Sequence, residues 1–198
     1  MKKYVAALIL SIFFLIVTLN YIKQKTPNKE MENPVVEIKT NYGSVKVELF
    51  QNMTPKTVEN FLRYVNDGYY DGLIFHRVIN NFMIQGGGFE PGMKARAQKY
   101  TPIINEAKIG PSNIRGTTSM ARTNDPDSAT SEFFINTVDN EFLDPGGNDS
   151  YGYAVFGKVI SGMDVVDKIS KIKTKVVGFY ENVPLETVLI QSIKVVSG

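Results

Sequence analysis

Cysteine is absent from this 198-residue chain, so disulfides, thiol nucleophiles and cysteine-ligated metals are excluded. Histidine is almost absent, His76 being the only one. Zinc sites with several histidine ligands, and Ser-His-Asp triads using any other base, are thereby ruled out. His76 itself lies in a strand-like run beside Phe75, which favours a structural histidine over a catalytic base. A surplus of charge is missing too. Residues 34–198 hold 17 basic and 18 acidic residues, while five lysines crowd into residues 1–33. A near-neutral domain lacks the basic footprint of a nucleic-acid binder, so no such partner is expected. The triplet Gly86-Gly87-Gly88 lacks both the lysine of a phosphate loop and the spacing of a dinucleotide fingerprint. It reads instead as a bend where backbone passes close to backbone. Asp125 and Asp127, in a polar loop with Ser128 and Thr130, read as a solvated turn, since calcium takes about 6–8 oxygen ligands. No metal and no cofactor are expected.

What is present begins with a basic N-terminus, Met-Lys-Lys, and then an apolar run from Tyr4 to Ile22. Ser11, Thr18 and Asn20 are its only polar interruptions. This is the layout of an export signal, and the run is close to the roughly 20 residues a helix needs to span a bilayer. No small-x-small cleavage site follows it. We therefore expect residues 1–22 to form a hydrophobic helix acting as an uncleaved signal anchor, with a cleaved signal peptide as the alternative. Membrane contact is expected through residues 4–22. Lysines flank both ends, so charge alone does not set orientation; the signal-like layout favours export of the C-terminal part. Residues 23–33 are polar and contain Pro27, as suits a flexible tether.

The folded domain is expected over residues 34–198. Val35–Thr40 and Ser44–Phe50 alternate around Asn41-Tyr42-Gly43, a hairpin signal. Thr54-Pro55 supplies an N-cap and a proline for the first helical turn. Val58, Phe61, Leu62 and Val65 then recur at helical spacing, predicting a helix over Pro55–Asn66. Phe89–Arg115 reads as a long loop with a brief strand at Ile103-Ile104. Short strand-like runs follow at 118–121, 133–136 and 154–160. A second helix is predicted over Met163–Ser170, and the closing run 188–195 is placed to pair with the first strand. Many short strands with two helices point to a barrel or sandwich.

One stretch stands apart, from Ile74 to Gly88. Its apolar residues stop at Asn80-Asn81 and resume, predicting two strands joined by a turn. It also places Arg77 among apolar neighbours, where a charge is costly unless it is paired or kept for chemistry.

With Ser131-Glu-Phe-Phe-Ile-Asn136, Phe142-Leu-Asp144 and Gly152-Tyr-Ala-Val-Phe-Gly-Lys-Val159, this stretch resembles the cyclophilins, peptidyl-prolyl cis-trans isomerases. The likeness runs through residues 34–198. Ile84–Met93, Ala121-Arg-Thr123 and Ser128-Ala-Thr130 resemble the bacterial branch, including its exported members. The resemblance implies a mainly β fold, a closed eight-stranded antiparallel barrel with a helix covering each end. It implies isomerisation of X-Pro bonds in proline-containing polypeptides, assisting the folding of exported proteins. The alternative is a membrane-tethered, proline-binding chaperone with little turnover. With the signal-like N-terminus, we expect a monomeric domain in the cell envelope, anchored to the inner membrane and facing the periplasm, or soluble there if the signal is cleaved.

Residue by residue, Arg77 matches the catalytic arginine and Gln85 the polar residue that orients it. Phe82, Met83, Phe134 and Leu143 match the wall that receives the proline, and Ala121 the adjoining groove. At Arg122 the family holds the peptide through the backbone, leaving the side chain without a role. Three positions depart from the best-known eukaryotic pattern. Phe142 replaces tryptophan, which argues against tight cyclosporin binding; Tyr153 replaces a frequent histidine. Glu132 replaces a usual glutamine, placing a charge by the groove where it is expected to pair with a nearby arginine.

Overall fold

The hairpin signalled by Asn41-Tyr42-Gly43 is the seed of the main sheet. Strands β1 (Val35–Thr40) and β2 (Gly43–Leu49) pair antiparallel, with Val36 opposite Val47 and Ile38 opposite Val45. Because side chains alternate along a strand, these four point together into the core, and all are buried. The computed structural model describes residues 32–197. The expected membrane segment 1–22 and most of the tether 23–33 lie outside the described residues. Among the described residues, no helix is long and apolar enough to cross a membrane.

Further strands are β3 (Phe75–Ile79), β4 (Met83–Gly86), β5 (Phe89–Glu90) and β6 (Lys94–Ala95). After them come β7 (Thr117–Met120), β8 (Phe133–Asn136), β9 (Val155–Ser161), β10 (Thr174–Val177), β11 (Tyr180–Pro184) and β12 (Ile190–Ser197). Eight of them form one sheet in the order β12-β1-β2-β9-β7-β8-β4-β3. The closing run pairs with β1, as expected. The closed barrel is not what forms. The sheet curls into a half-barrel whose edge strands, β12 and β3, share no ladder. A single bridge, Ile74 to Leu189, and a few backbone hydrogen bonds beside it tie the edges at one end. The reason lies in the excursion before β12: β10 and β11 form a separate hairpin, and β11 lies against β3. That hairpin covers the flank of β3, another way to protect an edge.

Helix α1 (Pro55–Asn66) has its predicted bounds, and Val58, Phe61, Tyr64 and Val65 form its buried face. The capping differs from expectation. Thr54 makes no side-chain cap bond; instead Glu106, nearly 50 residues on, accepts from the Lys56 and Thr57 N–H groups at 3.2 and 2.8 Å. A carboxylate there satisfies orphan amides and the helix dipole together. Helix α2 (Met163–Ser170) buries Val166 and Ile169. It starts at Gly162, whose φ of 87° and close approach to the Ser44 carbonyl both exclude a side chain.

One aromatic cluster dominates the interior. Phe61 meets Tyr70, Phe133 and Phe156 at ring separations of 5.3, 5.4 and 5.0 Å. The strands of this core also carry a second, smaller apolar cluster on their opposite face, around Met83, Phe134 and Leu143.

Candidate active site

That second face follows from the period of two along β4 and β8. Ile84 and Phe133 point into the main core, so their neighbours Met83, Gln85 and Phe134 must point the other way. The β4–β8 register then sets Gln85 opposite Phe134, and the β3–β4 register sets Arg77 opposite Gln85. Directly opposed side chains on one face lie within contact range. Four residues from three strands are thereby brought together by register alone.

They line a cleft of about 180 Å³ with Phe82, Ala121, Arg122, Leu143 and Tyr153. Nine of the eleven candidate site residues therefore meet at one place. Phe82 follows the β3–β4 turn, where Asn81 adopts a positive φ of 55°. Its carbonyl is held at 2.9 Å by the Asn140 side-chain amide, which also donates to Asn136. The remaining two candidates lie beside the cleft. Phe142 is half-exposed and stacks on Phe82 at 5.6 Å, buttressing that ring from outside. Glu132 lines an adjoining depression with Gln98, Thr123, Ser128 and Thr130.

The polar groups of the cleft form a chain. The Gln85 amide donates to Glu132 Oε2 at 2.8 Å, while its Oε1 accepts from Arg77 Nη1 at 3.3 Å. An ionised carboxylate can only accept, so Glu132 forces the Gln85 NH₂ toward itself and the oxygen toward Arg77. Arg77 has no carboxylate within ion-pair range among the described residues. Its charge remains available to the cleft. Glu132 thus does not pair with an arginine as expected; its neighbours are Gln85 and His76, whose Nε2 lies 3.5 Å away.

His76 is buried and packs on Phe89 at 4.5 Å. Burial, reinforced by the Arg77 charge, lowers its pKa to about 4, so at neutral pH the contact with Glu132 is no ion pair. Burial also raises the Glu132 carboxyl, against the opposing pull of the Gln85 hydrogen bond. Between pH 6.5 and 4 the unfolded chain protonates at His76 and the folded one does not. Stability therefore falls as pH falls through this window, by up to about 3 kcal/mol from this group. Glu132 acts with opposite sign, because its folded form takes up a proton first. His76→Phe is expected to flatten the fall of Tm between pH 6.5 and 4. It should leave kcat/KM within about threefold, less than ~0.7 kcal/mol; a large loss of turnover would restore His76 as a reacting group.

The Arg122 side chain has a role that the sequence did not show. It is only 4% exposed and pairs with Asp149, donates to the Gly152 carbonyl at 3.0 Å, and lies over the Tyr153 ring at 4.4 Å. This clamp ties the loop around residue 150 to the cleft wall and fixes Tyr153, which meets Phe134 edge-on at 5.8 Å. Asn140 and Asp149 were missed in the sequence, because each acts across tens of residues with no local pattern; Gln98, which lines the depression beside Glu132, was missed as well. At the glycine triplet the expected close approach is present: a Cβ on Gly87 would lie 2.7 Å from the Ser131 carbonyl. A larger depression of about 590 Å³ lies along Ala107–Ser112 and Asp144–Gly146. Asp144, its one carboxylate, is already bound by Ser112 and Asn113.

Known proteins are similar to this chain. The family model for cyclophilin type peptidyl-prolyl cis-trans isomerase/CLD matches residues 35–195. A peptidyl-prolyl cis-trans isomerase of Acinetobacter baylyi is 54% identical over 167 residues, 84% of this chain and 88% of that protein. Peptidyl-prolyl cis-trans isomerase B of Escherichia coli is 53% identical over 163 residues, covering 81% and 99%. The crystal structure of a Cryptosporidium parvum cyclophilin type isomerase, in the presence of the dipeptide Ala-Pro, superposes with a TM-score of 0.70. It is 29% identical and covers 83% of this chain and 99% of its own. With Arg77 in one cleft with Phe82, Met83, Phe134 and Leu143 on a curled β sheet, and with these relatives, the chain belongs to the cyclophilin-type peptidyl-prolyl cis-trans isomerases.

Proposed function

We propose that the cleft isomerises X-Pro bonds in exported polypeptides, with Arg77 as the catalytic group and Phe82, Met83, Phe134 and Leu143 as the proline seat. The observation that carries this is the cationic Arg77, unpaired with any carboxylate among the described residues and steadied by Gln85, in one cleft with the apolar side chains of Phe82, Met83, Phe134 and Leu143. Rotation about X-Pro faces a barrier of about 18–20 kcal/mol from amide resonance. No bond is made or broken, so neither nucleophile nor metal is required. As the amide twists, its nitrogen regains a lone pair and becomes a better acceptor. A planar guanidinium donating to that nitrogen binds the twisted state more tightly than the flat one, which is the condition for catalysis. The apolar wall holds the ring while the preceding residues turn.

Glu132 is a positioning residue, acting on Arg77 through Gln85. Glu132→Leu removes the acceptor that fixes the Gln85 amide and is expected to lower kcat about tenfold, some 1.4 kcal/mol. Glu132→Gln keeps an acceptor and should stay within about threefold. Equal activity in all three proteins, measured on one proline peptide, would remove Glu132 from the account.

The setting follows from the N-terminal sequence: the apolar run 4–22 behind Met-Lys-Lys supports an anchored domain outside the cytoplasm. Protease added to spheroplasts carrying the C-terminally tagged chain tests it. Digestion of the tagged domain is the expected result; full protection until the membrane is lysed would overturn the export assignment.

A further inference from the structure

The β10–β11 hairpin has a feature that neither the cleft nor the core uses. Its strands are joined by Gly178-Phe179, with Val177 paired to Tyr180. Gly178 takes the positive φ of 59° that a two-residue hairpin turn requires. The turn thereby lifts Phe179 wholly into solvent, at 103% relative exposure, and Val176 is 66% exposed just before it. A fully exposed phenylalanine at a tip is not a packing residue, since burying such a ring is among the larger gains in folding. The base of the hairpin is firm. Val183 and Pro184 are buried, Tyr180 packs on Phe89 at 5.1 Å, and Leu185 N–H donates to the Lys173 carbonyl at 2.8 Å. The tip is presented by a fixed stem rather than left over from a frayed end.

The charge before this tip is of one sign. Lys168, Lys171, Lys173 and Lys175 are all exposed, and no acidic residue occurs from Lys168 to Tyr180. None of the four lysines forms an ion pair among the described residues. The nearest carboxylate, Glu181, stands two residues past Phe179 and opposes the lysines; the next ones on either side are engaged. Asp167 is held by Arg115 through two hydrogen bonds, and Glu186 accepts from the Tyr42 hydroxyl; Glu181 is exposed. An aromatic tip with lysines behind it matches the chemistry of an anionic bilayer surface, where the ring enters the acyl boundary and the ammonium groups meet phosphates. The sequence adds a reason for a bilayer to be near. Eleven residues separate the apolar run 4–22 from Pro34, and eleven residues reach at most about 40 Å.

We propose that the β10–β11 hairpin is a second membrane contact, in which Phe179 inserts into an anionic lipid surface and Lys171, Lys173 and Lys175 bind its headgroups. Its proximity to lipid rests on the anchor assigned to residues 4–22, but the chemistry of the tip stands by itself. The contact turns a domain on a short tether into one with a defined orientation at the surface.

The absence of tryptophan from the chain makes the test direct. In Phe179→Trp the new indole is the sole tryptophan and reports its own surroundings. The full chain is mixed with vesicles of phosphatidylcholine alone, or of phosphatidylcholine with phosphatidylglycerol, carrying bromine-labelled acyl chains. With the anionic vesicles, emission is expected to shift to the blue and lose roughly half its intensity to the bromines. Ile109→Trp, at an exposed position on the long loop, should show neither change. Adding Lys173→Glu and Lys175→Glu to Phe179→Trp should abolish most of the quenching. Unchanged emission from Phe179→Trp, or equal quenching at Ile109→Trp, would overturn the contact, and would leave the tip to a protein partner. Flotation with phosphatidylcholine vesicles reports the anchor separately. A chain that floats without quenching in anionic vesicles keeps the anchor and loses the hairpin contact; quenching without flotation does the reverse.

Discussion

Arg77→Ala is expected to reduce kcat/KM about 100-fold while leaving the thermal midpoint nearly unchanged. A hydrogen bond from a charged donor contributes about 1.5–3 kcal/mol, and loss of one preorganised donor at a developing acceptor costs about 10²–10³ in rate. Arg77 is half-buried on β3 and hydrogen-bonds only Gln85 among the described residues, so its removal deprives the fold of little. Arg77→Lys keeps the charge but not the planar fork, and should recover only a small part of the lost rate. The measurement is a coupled or exchange assay on one proline peptide at several concentrations. Loss in kcat with KM held would place the interaction in the twisted state. Loss through KM alone would make Arg77 a ground-state binding group.

The second large effect lies in the core. Phe61→Ala removes the ring that joins Tyr70, Phe133 and Phe156, at a position only 1% exposed. Truncating a buried phenylalanine costs about 3–5 kcal/mol through lost transfer energy and the cavity left behind. For a domain of this size that corresponds to a fall in Tm of roughly 10 °C. Below the new midpoint the cleft should still turn over, because Phe133 faces the core and its neighbour Phe134 faces the cleft. A calorimetric scan beside a low-temperature assay separates the two. A variant of unchanged Tm would mean that the aromatic cluster repacks without cost.

Legibility from sequence followed the range of the forces involved. Helix α1 was readable to the residue, since Pro55 starts it and Val58, Phe61 and Val65 repeat along it. The β1–β2 hairpin and the turn at Asn80-Asn81 were readable for the same local reason. The cleft itself was not readable from periodicity. Both Met83 and Ile84 are apolar and buried, so alternation could not say which of them faced the cleft; the family resemblance assigned Met83. Contacts made across long stretches of chain left no trace at all. Glu106 capping α1, Arg122 gripping Asp149 and Gly152, and Asn140 holding Phe82 each join segments between 27 and 58 residues apart. The open seam between β12 and β3 was missed because the hairpin 174–184 was not recognised. Its turn is Gly-Phe rather than a familiar Asn-Gly or Asp-Gly pair.

The central claim is that this cleft speeds rotation of X-Pro bonds by binding the twisted amide. Exchange NMR on a short Ala-Pro peptide with substoichiometric full-length protein tests it most directly. Uncatalysed exchange takes about 10–100 s, too slow for cross-peaks between cis and trans forms on the mixing timescale. Cross-peaks that appear with the wild type and vanish with Arg77→Ala are the predicted result. A folded wild type that shifts the peptide's resonances yet yields no cross-peaks would contradict it.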